Sequence, residues 1–261
     1  MGTAAGPLEQ HVDSRWLMAY SAALGETDPR YYDTAAADGV LAHPLFPVCY
    51  EWPVSQPIRQ IAALRALMPR LVHAEHDLVL HRPPREGDRL ATHASIVAVH
   101  KRKPGAFVVF RFESHDAAGK PVSTTDFGAL YRGVDVDGPD RGAAIELPAA
   151  SGLETIGNID VGANLAHIYT ECARIFNPIH TDVAHAKAVG LPDIILHGTA
   201  TLALTVSRLK IEPARVRRIR CRFSGMVLMP SRLEVRSNGT DFETRGPGGE
   251  VVIGRGRIDH G

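Results

Sequence analysis

Residues 169–198 read YTECARIFNPIHTDVAHAKAVGLPDIILHG. Asn177-Pro178 is turn chemistry. Asp182 is a good N-cap for a short helix that ends at Gly190. Ile195-Leu196-His197-Gly198 then opens a long apolar helix over 198–209. This order sets one imidazole, His180, opposite the backbone N–H of Gly198. Imidazole titrates near neutrality, which suits a general base or acid. An N–H at a helix start has no partner in the helix and sits at the positive end of the dipole, where it can bond a carbonyl oxygen gaining charge.

The first half carries a worn copy of this stretch. With Tyr20 placed on Tyr169 and the offset kept, Asp28-Pro29 falls on Asn177-Pro178, Tyr31 on His180, Asp33 on Asp182 and Ala35 on Ala184. After two residues are skipped, Gly39 meets Gly190, Phe46 meets His197 and Pro47 meets Gly198. A phenol titrates near 10 and is no base at neutral pH. Proline has no N–H. Both candidate groups are therefore lost together in the first half, whose expected job is to close the core and line part of a cleft.

Working outward, helices are expected at 15–24 and 56–68, and strands at 76–81, 88–99, 106–115 and 122–132, separated by Pro- and Gly-rich turns. Residues 165–170 read as a strand entering a turn, and further strands are expected at 216–223, 232–237, 240–245 and 250–258. The stretch 134–153, rich in Gly, Pro, Ala and Asp, is the linker candidate. The domains are thus 1–133, the linker 134–153, and 154–261, each half a helix followed by antiparallel strands, an α+β layer architecture.

Other clusters have plainer readings. In 216–223 (VRRIRCRF), Ile219, Cys221 and Phe223 alternate with Arg218, Arg220 and Arg222. The arginines form either a charged outer face or a site for the phosphates of a nucleotide-bearing cofactor. His73, Glu75, His76 and His81 are expected on a solvated strand edge. Asp182 already serves as a cap, so His180, Asp182 and His185 are not taken as metal ligands, and no metal is expected. Cys49, Cys172 and Cys221 are few, odd in number and far apart, which suits free thiols in a reducing cytoplasm.

Composition bounds the partners. In 261 residues, Lys+Arg and Asp+Glu are both 29, which gives no electrostatic case for nucleic acid or a membrane surface. There is no apolar run long enough for a transmembrane helix and no signal-peptide pattern at the start. A cytoplasmic location is expected.

Tyr169 through Gly198, with Asn177-Pro178-Ile179-His180 and Ile195-Leu196-His197-Gly198, resembles the hydratase 2 motif of MaoC-like (R)-specific enoyl-CoA hydratases and dehydratases. The resemblance implies a double hotdog fold, two long helices each wrapped by antiparallel sheet, with the N-terminal site decayed. It also implies a hydro-lyase acting on acyl thioesters, with an acyl-CoA or acyl-carrier-protein partner, no cofactor beyond that thioester, and monomer and homodimer both open. His180, Asn177 and Gly198 match the family's positions, Gly198 as oxyanion donor. Arg174, Phe176 and His197 are expected to touch substrate, Arg174 through a carboxylate on it. One position departs: the family's Gly-Asp-x-Asn-Pro-x-His has Arg174 and Ile175 where the Gly and the catalytic Asp stand. Either Glu171 swings in for the acid, or His180 handles the proton alone while Asn177 positions water. The second is preferred. A non-catalytic thioester binder or partner subunit, and a thioesterase, are the competing readings.

Overall fold

The computed structural model describes residues 2–261. Ten strands form one antiparallel sheet in the order β1-β3-β4-β5-β2-β7-β10-β9-β8-β6. The first five are β1 (Ala4–His11), β2 (Leu71–Leu80), β3 (Arg89–Arg102), β4 (Gly105–His115) and β5 (Pro121–Arg132). The second five are β6 (Glu154–Val161), β7 (Val216–Phe223), β8 (Ser231–Ser237), β9 (Asp241–Arg245) and β10 (Val251–His260). Within each half the spatial order is first, third, fourth, fifth, second, so the duplication read from the sequence holds strand for strand. The halves join where β2 pairs with β7, Leu78 opposite Ile219 and Glu75 opposite Arg222.

The helices repeat too. α1 (Ser14–Ala23) corresponds to α4 (Leu165–Ala173), and α2 (Pro47–Arg59) to the later α6 (Gly198–Arg208); short helices α3 (Ala62–Arg65) and α5 (Val183–Ala188) lie between. α1 and α4 pack together, and the Tyr20 and Tyr169 hydroxyls meet at 3.4 Å, both rings fully buried. The aligned tyrosines therefore sit face to face across the pseudo-twofold. One apolar core cluster spans both halves through Trp16, Phe46, Leu78, Tyr169, Leu202, Ile219 and Phe242, with a buried Leu, Ile or Phe contributing about 1.5–3 kcal/mol.

Several expectations need correction. The helix expected at 56–68 starts at Pro47 and ends at Arg59; Pro53 and Pro57 lie inside it and hid it from a periodicity reading. Residues 165–170 belong to helix α4, not to a strand. Each half opens with a strand, β1 or β6, ahead of its helices. The His73–His81 cluster is no edge: β2 is the central seam, and Glu75 and His76 are each only 1% exposed. A register shift between His73 and Glu75 breaks the simple alternation.

The arginine strand takes its plain reading. Arg218 is bidentate on Asp77 at 2.7 and 2.6 Å, Arg220 meets Asp259 at 2.8 Å, and Arg222 meets Glu75 at 2.8 Å. Ile219 and Cys221 face the core. Arg218 and Arg222, committed to carboxylates of β2, tie the halves together across the seam, and Arg220 binds β10 within the second half. The three cysteines are free thiols, and residues 134–153 are largely irregular, touching β3 through an Arg141–Val99 bridge.

Candidate active site

The site grows from two short elements of the second half. Asn177 opens a 3-10 turn, Pro178–His180, its side chain accepting from the Ile179 N–H at 3.5 Å. Asp28 does the same for the 3-10 turn Pro29–Tyr31, accepting from the Arg30 N–H at 3.0 Å. His180 and Tyr31 are thus the same position in two copies. After His180, Asp182 caps α5 through the Ala184 and His185 N–H groups. Gly190 then reverses the chain at φ +86, a conformation costly to residues with a Cβ. The return segment brings His197 and Gly198 back over His180.

His180 is 8% exposed. Its Nδ1 lies 2.8 Å from the Ile195 carbonyl oxygen. A carbonyl only accepts, so Nδ1 carries the proton and Nε2 keeps its lone pair. Burial lowers the imidazole to about 4, against a smaller opposite pull from Ile195. At neutral pH His180 is a neutral, oriented base. The His197 ring stacks on it at 3.6 Å and 26°, and is itself held by Thr170 at 3.2 Å and packed on Tyr169 at 4.9 Å.

Gly198 is the first residue of α6, and His197 before it has ψ 136. A Cβ at Gly198 would stand 3.2 Å from two ring atoms of Phe223, so any side chain there presses on the ring that ends β7. The Gly198 N–H is outside the helix ladder.

The other expected residues scatter. Arg174, in left-handed conformation at φ 59, lies over the Trp16 ring at 4.1 Å, with Asp13 at 4.0 Å. It clamps α4 to α1 through these contacts. Phe176 is 60% exposed and, with Asn177, Glu171, His167, Thr170, Pro178 and Thr181, lines an outer cleft of about 300 Å³. Glu171 shares that cleft with Asn177 but makes no hydrogen bond to His180. Ile175 is 5% exposed within the apolar core, its N–H bonded to the Thr170 carbonyl. His197 is 2% exposed and props the base. What orients His180 is a backbone carbonyl, for which no side-chain identity gives a signal.

A second cleft, of about 350 Å³, lies between the halves, lined by Glu26, Tyr31 and His43 of the first and Ser207 of the second among others. Burial pushes the Tyr31 phenol up, further from any base role. Glu26, which aligns with Ile175, accepts from Ser207 of α6 at 2.5 Å, and His43 meets the same hydroxyl at 3.2 Å. These polar groups bind the two halves to each other.

Comparisons with known proteins agree with this geometry. A family model described as FAS1-like, dehydratase domain region, matches residues 1–125, and one described as MaoC like domain matches residues 159–256. The peroxisomal hydratase-dehydrogenase-epimerase of Saccharomyces cerevisiae is 27% identical over 180 residues, 64% of this chain and 20% of that protein. The chain thus spans a fifth of that relative's length. A UPF0336 protein of Saccharopolyspora erythraea is 30% identical over 115 residues, 43% of this chain and 74% of that one. Among solved structures, a MaoC-like dehydratase from Phytophthora capsici superposes with TM-score 0.84 at 21% identity, covering 99% of this chain and 95% of that chain. Two dehydratase-type family matches, one on each half of a doubled helix-in-sheet fold, place this chain in the MaoC-like dehydratase family as a double hotdog member.

Proposed function

We propose that the chain is a hydro-lyase on acyl thioesters, adding water to a 2-enoyl group or removing it from a 3-hydroxyacyl group. The observation that carries this is a neutral imidazole at His180 oriented by Ile195, together with a Gly198 N–H outside the ladder of α6, both groups absent at the equivalent Tyr31 and Pro47. A relative named a hydratase-dehydrogenase-epimerase supports the same class.

In the hydration direction, Nε2 of His180 takes a proton from water as the oxygen bonds to C3. The C2–C3 electron pair moves toward the thioester, and its oxygen gains charge against the Gly198 N–H. The imidazolium then returns the proton to C2. One group serves both proton transfers, so no carboxylate at position 175 is required. Ile195 holds the ring in the needed tautomer, and Asn177 holds the turn that presents it. The test is turnover of enoyl-CoA substrates by the wild type and His180→Ala. A loss of about 10²–10⁴-fold is expected, and equal rates sink the reading.

A second reading rests on Ile175, apolar and buried where the family's acid stands. It makes the chain a non-catalytic thioester binder or partner subunit. Tight binding of acyl-CoA without turnover of any enoyl or hydroxyacyl thioester decides for it.

A further inference from the structure

Arg59, at the last turn of α2, is 9% exposed, yet it has no ion pair and no hydrogen bond among the described residues. Its guanidinium rests on ring faces instead, 4.8 Å from the Trp52 centroid and 5.4 Å from that of Phe127. Burial lowers it only to about 10, so it stays cationic at neutral pH. A buried charge without a counter-charge is costly, and folded proteins keep such groups paired. The other buried acid on this face of α2 is no partner: Glu51 lies two turns away, about 12 Å along the axis, and accepts from Thr125 at 2.6 Å.

Arg59 has company. The Tyr131 hydroxyl, Nε2 of His73 and both ring nitrogens of His76 are buried without a hydrogen-bond partner. His73 stacks on the same Phe127 ring that Arg59 lies over, and the His76 ring centroid is 5.4 Å from that of His73. A neutral imidazole and a phenol each offer a donor and an acceptor, and none of them brings a negative charge to meet the cation. The group is therefore a cation without an acceptor of opposite charge among the described residues.

Its place in the fold says what such an acceptor belongs to. The His73 ring stacks on Phe127 at 3.6 Å and lies 4.6 Å from Phe223. Phe223 is the ring that packs against Gly198. A continuous aromatic wall of half-buried side chains thus leads from the candidate oxyanion donor, across the β2–β7 seam, to Arg59 in the first half. An acyl group whose thioester carbonyl sits at Gly198 has this wall to run along, and Arg59 lies at its far end.

We propose that Arg59 receives a carboxylate at the distal end of the acyl group, so that the site takes thioesters of dicarboxylic acids. The inference rests on the thioester reading above and assigns to the decayed half the selection of substrate.

The test is calorimetry of the full chain with saturated, unreactive CoA thioesters in matched pairs of four to eight carbons: succinyl through suberyl against butanoyl through octanoyl. CoA is common to both members, so its phosphates cancel. At one chain length or more, the dicarboxylic member is expected to bind tighter by about tenfold or more, the scale of a hydrogen-bonded charge. Arg59→Met is expected to erase that preference while leaving the neutral thioester within about twofold and the melting temperature unchanged or raised; Arg59→Lys should keep part of it. Equal wild-type affinity across every pair overturns the inference and leaves the thioester reading standing. Binding of neither series overturns both. A clear preference without turnover of the matching enoyl thioesters keeps the inference and rejects the hydro-lyase.

Discussion

Gly198→Pro is the most direct way to remove the oxyanion donor, because it copies Pro47 of the decayed half. Three features make it a clean deletion. The N–H at the first helical position has no helical partner, so proline costs the α6 ladder nothing there. His197 has ψ 136, within the range a residue before proline prefers. The added Cβ meets Phe223 at 3.2 Å, a contact that Gly198→Ala shares. The two variants therefore share the Cβ contact, and proline adds its ring carbons and removes the N–H. Loss of one such donor costs about 10²–10³-fold, or roughly 3–4 kcal/mol of transition-state stabilisation. The assay is kcat/KM for an enoyl-CoA in both variants, with thermal melting alongside. Alanine is expected to fall modestly, proline by that further factor, and their melting temperatures to agree within a few degrees. Equal activity of the two would refute the role given to Gly198.

Other consequences are more quickly stated. His180 at about 4 is neutral through the physiological range, so the rate should stay level from about pH 6 to 8 and fall as pH drops toward 4; a rise on acidification contradicts its role as base. Buried His43 and His76, at about 3 and about 4, bind protons more weakly folded than unfolded. Their contribution is full above the unfolded value near 6.5 and is lost as pH falls toward 4, so denaturant midpoints should drop across that window and His43→Gln should flatten the drop. Burial raises Glu51 to about 8, so the folded state keeps a proton that the unfolded chain sheds. Its contribution is full below pH 4.5 and lost as pH rises toward 8, and Glu51→Gln should be more stable than wild type at pH 8 by on the order of 2–4 kcal/mol. Arg174→Ala should lower stability by about 0.5–1 kcal/mol through the lost Trp16 contact while leaving kcat/KM unchanged; a large activity loss would return Arg174 to the substrate.

Much of this architecture was legible because the repeat was legible. Tyr20 against Tyr169, Asp28 against Asn177 and Pro47 against Gly198 are local signals, each tied to a cap, a turn or a helix start, and each occupies the expected place. What stayed hidden depends on partners distant in sequence. Pro53 and Pro57 masked α2, whose stability comes from burial of Tyr50, Val54 and Ile58 rather than from propensity. The packing of Arg174 on Trp16 beside Asp13 was not legible, because charge alone does not show what lies beneath a side chain. Arg59 drew no notice, since only packing reveals that it is buried and unpaired. The Ile195 carbonyl that orients His180 is backbone, and any residue would supply it.

The β2–β7 seam has one more consequence. When two identical hotdogs pair as separate chains, every substitution appears on both sides of the interface, and the two clefts stay alike. Joining them in one chain releases that constraint. Tyr31 and Pro47 can stand on one side while His180 and Gly198 stand on the other, and a cation such as Arg59 can be set into one half without burdening its twin. The covalent link turns two equal catalysts into a division of labour.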